Sequence, residues 1–144
     1  RQFKKDHGGR EKYFPVQYKK DLAEDCVIRA IAIGTGQDYM KVWNDLFALG
    51  TKLGHLPNSD MTSQNYLEGL GWTRHRFLKA PGGGKIQVRE FPLSDAIIRT
   101  CRHMTVIAGG IHRDTWNCGH SKANTYWTPP HNTNQGRPGL GDNH

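Results

Sequence analysis

The chain predicts an α+β fold, and three features of its 144 residues carry that expectation. Apolar residues recur at helical spacing from Asp25 to about Gly71, and strand-like segments take over from Trp72. Helices come first and strands follow, without the alternation that marks a parallel α/β sheet. A composition of 35% hydrophobic and 10% aromatic residues is enough for a single packed core at this length.

Residues 1–20 are polar and basic and read as an N-terminal arm ahead of a domain spanning 21–128. A first helix is expected from Asp25 to Ile33, where Val27, Ile28, Ala30, Ile31, Ala32 and Ile33 are apolar nearly all round. A helix of that kind is a central, buried one. Gly34 to Gly36 stop it, since glycine accepts the left-handed conformation beyond a helix end. Asp38 is placed to cap a second helix, with Val42, Trp43, Leu46, Phe47 and Leu49 on its apolar side and Gly50 at its end. After a loop, residues 61–71 form a short third helix that stops at Gly71.

Strands are expected next. Residues 72–78 and 85–91 flank the glycine-rich 80–85 turn, while 96–108 and 111–118 flank Gly109-Gly110. Residues 125–130 resemble an edge strand ending at two prolines. The tail, 129–144, has too little apolar surface to fold alone. The 80–85 turn joins two strands and lacks the spacing and Ser/Thr of a phosphate-binding P-loop.

The formal charge of +7 is unevenly spread. Arg1, Lys4, Lys5, Arg10, Lys12, Lys19 and Lys20 face only Asp6 and Glu11 in the first twenty residues, a net +5. The expectation is a nearly neutral domain with a basic arm, either a solubilising extension or a contact for nucleic acid or another polyanion. No apolar run approaches the roughly 20 residues of a membrane span, and the polar opening segment is unlike a signal peptide. Three cysteines, an odd number, fit a reducing compartment better than a disulfide framework. The location expected is the cytoplasm.

With Gly109-Gly110 as a two-residue turn, Ala108 pairs with Ile111, Thr105 with Asp114 and His103 with Trp116. Side chains alternate faces, so His103, Thr105, Asp114 and Trp116 share one, and His103 and Asp114 are diagonal neighbours. A three-residue loop would move Asp114 to the other face. An imidazole beside a carboxylate is a base with a fixed tautomer. Its nucleophile is Cys26, at the first turn of the buried helix, where the helix dipole favours a thiolate. Asp25, next to it, would raise the thiol pKa, an effect the dipole and His103 must outweigh.

Residues 24–46, the Cys–His–Asp order and residues 103–116 together resemble the papain-like cysteine hydrolases, in particular small forms from phages and bacteria. The shared features are an Asp-Cys-Val-x-Arg-Ala helix start and a hairpin running from His-x-Thr-Val to Asp-Thr-Trp. The resemblance spans about Asp21 to Trp127. It implies a Cys-bearing central helix packed on a C-terminal antiparallel sheet, with Cys26 as nucleophile, His103 as general base and Asp114 orienting the ring. The implied activity is hydrolysis of an amide, peptide, isopeptide or thioester bond through an acyl-thioester, without cofactor or resident metal, on a protein or peptide substrate. The implied setting is a bacterial host cytoplasm, or a virion for a phage protein. Papain-like enzymes usually carry a Gln shortly before the Cys as an oxyanion donor; here Gln17 is the only nearby glutamine. Asn117 is an alternative orienting residue, and Trp116 either shields the His–Asp hydrogen bond or packs beside it.

Two other classes compete. The same fold without catalysis would serve as a structural or nucleic-acid-associated subunit, its arm and tail making the contacts. Cys101 with His103 and Cys118 with His120 form two Cys-x-His pairs whose convergence would make a zinc site.

Overall fold

The computed structural model of the chain describes residues 1–15 and 23–130. Three helices lie on one face of a six-stranded sheet. The helices are α1 (Cys26–Thr35), α2 (Tyr39–Leu53) and α3 (Asp60–Gly69). The strands are β1 (Phe3–Lys5), β2 (Thr73–Arg76), β3 (Ala96–Thr100), β4 (His103–Ala108), β5 (Ile111–Asp114) and β6 (Thr125–Thr128). Their order is β1-β5-β4-β3-β6-β2, antiparallel throughout except for the parallel β1–β5 pair. The α+β class expected from the sequence holds, and among the described residues no helix is long and apolar enough to cross a membrane.

Strand alternation gives the sheet two apolar faces. Ile97, Met104, Val106 and Trp127 join the core that includes Val27, Ile31, Val42, Leu46 and Leu67 from the helices. Ala96, Ile98, Ile107 and Tyr126 face the other way, against Ile86, Val88, Phe91 and Ala123 from irregular segments. Close approach of α1 requires a glycine at one point. A Cβ on Gly34 would lie 2.7 Å from Ile97 Cγ1 and 2.8 Å from its Cδ1.

Asp38 caps α2 as expected, its carboxylate accepting from the backbone N–H groups of Met40 and Lys41. Gly50 does not end the helix. α2 runs on to Leu53, and Gly54 takes the left-handed cap at φ 78°. Gly50 instead lets the following loop fold back, since its Cβ would meet His55 O at 2.5 Å.

The strand expected over 96–108 is in fact a hairpin. Thr100 pairs with His103 across a two-residue turn of Cys101 and Arg102, and Arg102 adopts φ 64°. The sequence hides this turn because it contains neither Gly nor Pro. β6 is not an edge strand: it lies between β3 and β2, and β2 forms the edge. The segment 85–91 forms a 3-10 turn at Val88–Glu90 and isolated bridges rather than a strand.

Nor do the first fifteen residues form a free arm. Phe3–Lys5 pair with His112–Asp114, Asp6 N donates to Asp114 O at 2.9 Å, and Arg113 pairs with Asp6 at 3.1 Å. Gly8 packs over α1, where a Cβ would lie 3.1 Å from Arg29 Cα. A segment with few large apolar residues is thus held by backbone pairing and ion pairs, which hydrophobic patterning does not report.

Candidate active site

Cys26 occupies the first helical position of α1, where backbone N–H groups have no partner within the helix. His103 is the first residue of β4 and Asp114 the last of β5. Pairs Ala108–Ile111, Ile107–His112 and Val106–Arg113 reproduce the register expected for the Gly109-Gly110 turn. That register puts His103 and Asp114 on the same side of the sheet. α1 packs on the opposite side, against Met104 and Val106. Cys26 meets His103 because both stand at the ends of their elements, and the contact turns around the end of β4.

His103 Nε2 lies 2.7 Å from Asp114 Oδ2, with both side chains buried. The ring also hydrogen-bonds Cys26. Burial alone would lower the imidazole pKa. Hydrogen bonds to Asp114, Cys118 and Cys26, with the Asp114 charge, win and push it up to about 11. Burial likewise works to raise the Cys26 thiol pKa. Its hydrogen bonds to His103 and to the Met104 backbone, with the charges of His103 and Arg29, bring the net value below the ordinary one. Asp114 is held below the usual carboxylate value against its burial, by His103, by a hydrogen bond from Thr105 and by the Arg29 charge. An imidazolium facing a thiol with a lowered pKa is an activated nucleophile.

Asp25, beside Cys26, has cationic and hydrogen-bonding partners of its own. Its buried carboxylate accepts from Arg29 and from Tyr39 Oη at 2.6 Å, and pairs with Arg10 at 3.3 Å. Tyr39 answers with a pKa well above the ordinary tyrosine value, burial being the main cause and Asp25 the next. Arg29 also approaches Asp114 Oδ1 at 3.5 Å, so a buried chain of alternating charge runs Arg10–Asp25–Arg29–Asp114–His103. Arg29 was not singled out from the sequence. An Asp and an Arg at i, i+4 spacing in a helix otherwise apolar all round were the signal for it, because a buried guanidinium needs anionic partners.

Among the described residues, the two that adopt left-handed backbone without being glycine both stand beside the site. Glu24, at φ 53°, is two residues before Cys26, and Arg102, at φ 64°, is one before His103. Such conformations cost about 1–2 kcal/mol for an L-residue and persist where the surroundings dictate them.

Trp116 lies against the His103 ring, centroids 5.1 Å apart. Asn117 is exposed; its side-chain oxygen accepts from Gly119 N rather than orienting His103. Gln17, Lys19 and Lys20 lie outside the described residues. Lys4, Lys5 and Lys12 are exposed, whereas Arg10 is committed to Asp25, Tyr39 Oη and Pro15 O, and Arg1, though exposed, donates to backbone carbonyls. The two Cys-x-His pairs do not converge: Cys101 sits exposed in the β3–β4 turn and His120 is exposed, while His103 and Cys118 are buried. One member of each pair does gather with Asp114: ligand atoms of His103, Asp114 and Cys118 all lie within 4.8 Å of one another. Cys118 there donates to Asp114 Oδ2 at 3.7 Å and lies 3.5 Å from His112 Nε2. The Arg29 guanidinium on Asp114 opposes a cation at that point.

The space beside Cys26, bordered by Arg29, Ala30, Ile33, Met104, Thr105 and Asp114, is too narrow to admit a water molecule. No protein-family model, curated protein or solved structure matches the chain.

Proposed function

We propose that the protein is a papain-like cysteine hydrolase acting on an amide, peptide, isopeptide or thioester bond. The observation that supports this best is the Cys26–His103 contact backed by the 2.7 Å His103–Asp114 hydrogen bond. In this reading the Cys26 thiolate attacks the carbonyl carbon, and a C–S bond forms as the oxygen takes the electron pair. The Cys26 N–H, which has no acceptor within its own helix, is one donor to that oxygen. Collapse breaks the bond to the leaving amine or thiol, which takes the proton from His103. His103 then accepts a proton from water as the water attacks the acyl-thioester, releasing the acid and regenerating the pair. Asp114 holds the ring and stabilises its charge, and no cofactor enters any step.

A second reading, a catalytically silent subunit of the same type, is favoured by the lack of any water-sized cavity at Cys26. Small-molecule sites occupy about 300–1,000 Å³. The hydrolase reading answers this with an extended substrate whose backbone lies across the surface.

Iodoacetamide alkylation followed by mass spectrometry of each cysteine, across pH, in wild type and His103→Ala, separates the two. The hydrolase reading expects Cys26 to react well below pH 8 in wild type and to lose at least about tenfold in rate at neutral pH in the variant, roughly one pK unit. Reaction of Cys26 only on unfolding would leave the silent subunit.

A further inference from the structure

A second cleft, about 320 Å³, is lined by Arg1, Arg89, His112, Asn117, Gly119 and His120. Its volume falls at the lower end of the range for small-ligand sites. No carboxylate lines it, while two guanidiniums, two imidazoles and an amide do. Arg1 is occupied, its guanidinium donating to the carbonyls of Phe91, Leu93 and Gly110. Arg89 donates through Nε to Gln87 Oε1 at 2.7 Å, which fixes the plane of the fork. Asn117 spends its oxygen on Gly119 N at 2.9 Å and so offers its amide nitrogen as a donor.

The cleft is built in advance. Arg89 N donates to Gly119 O at 2.9 Å, fastening the 117–120 loop to the 3-10 turn. Glycine suits this approach: a Cβ at 119 would lie 2.9 Å from Asn117 Oδ1 and 3.1 Å from Arg89 Cβ. His112, buried, uses Nε2 on Thr105 Oγ1 at 2.8 Å, and its pKa is lowered chiefly by burial, with His103 and Arg1 adding to the effect.

We infer that this cleft binds an oxyanion, the carboxylate or phosphate group of a ligand, through Arg89, Asn117 and His120. A planar guanidinium fork and an amide donor match two oxygens of such a group, and charge-assisted hydrogen bonds of this kind are the stronger class. A cation is repelled by the same lining. The cleft shares a wall with the triad, because Cys118, next to Gly119, donates to Asp114 Oδ2.

The inference stands apart from the role of Cys26, and its test reads binding alone. Amide shifts are followed by NMR during titration with inorganic phosphate and, separately, with acetate, at constant ionic strength. The proteins are wild type, Arg89→Ala, Gly119→Ala and, as a control on the sheet edge, Lys5→Ala. Saturable shifts at Asn117, Gly119 and His120 are expected for at least one anion, and the tighter of the two identifies the oxyanion. Arg89→Ala, at an exposed position, weakens binding about tenfold or more, and Lys5→Ala leaves it unchanged. Shifts that do not saturate, or that are equal in Arg89→Ala and wild type, overturn the inference in favour of general attraction to a chain of net charge +7. Repeating the titration in Cys26→Ala gives the same result if the cleft is an independent site.

Discussion

Arg29 lies 3.5 Å from Asp114 Oδ1, an ion pair that ties the first turn of α1 to the last residue of β5. The Cys-bearing helix and the His–Asp hairpin are therefore joined by charge as well as by apolar packing. Replacing Arg29 with Met keeps volume but leaves Asp25 and Asp114 without their shared cation. Breaking a buried pair in this way costs about 3–5 kcal/mol, and urea unfolding measures it. Arg29→Lys restores the charge without the fork that reaches both carboxylates, and should recover only part of the loss.

His103 should make stability fall as pH rises. Its folded pKa, about 11, lies above the ordinary 6.5. The unfolded chain therefore loses this proton first, and the stabilisation, complete below 6.5, is lost progressively as pH rises toward 11. Cys26 titrates with the opposite sign, so Cys26→Ala is the background in which to look. Between pH 6.5 and the ordinary tyrosine value of 10.0, the unfolding free energy of Cys26→Ala should decline. Adding Asp114→Asn removes the partner that raises His103 most, and the decline should flatten. An equal slope in both proteins would mean that Asp114 does not hold the imidazolium.

Gly34→Ala should destabilise by about 1–3 kcal/mol, the usual cost of overpacking a core. The added methyl meets Ile97 Cγ1 and Cδ1, with Val106 Cγ2 at 3.3 Å. Ile97→Val removes Cδ1, so the double variant should be more stable than the sum of the single changes allows. Thermal or urea unfolding of the four proteins gives the coupling.

Arg102→Gly should stabilise the β3–β4 hairpin by up to about 1 kcal/mol. The left-handed backbone at φ 64° costs an L-residue more than glycine loses in unfolded-state freedom. Urea unfolding checks the direction. A loss of stability would show that the Arg102 side chain contributes more than its backbone costs.

That Cys26, His103 and Asp114 come together was legible in the sequence because their placement rests on strong local signals. An apolar helix fixes the first, and the Gly109-Gly110 turn fixes the relation between the other two. The Cys101-Arg102 turn was not legible, because its left-handed residue is an arginine imposed by the pairing of Thr100 with His103. The N-terminal strand was missed for a related reason: β1 is held by backbone partners and by Asp6, none of which produces an apolar pattern. Gly50 misled because glycine within a helix and glycine after one look alike in sequence; what distinguishes them here is the returning carbonyl of His55.

The β1–β5 pairing also orders events in time. Asp6 and Arg113 are 107 positions apart, so β1 waits for nearly all of the described chain to be made before its partner exists. Closing so long a loop is slow relative to forming the adjacent β4–β5 hairpin. The strand beside the proposed catalytic carboxylate is therefore expected to dock late. Until it does, β5 presents an open edge, and a chain shortened by its first few residues would keep that edge permanently.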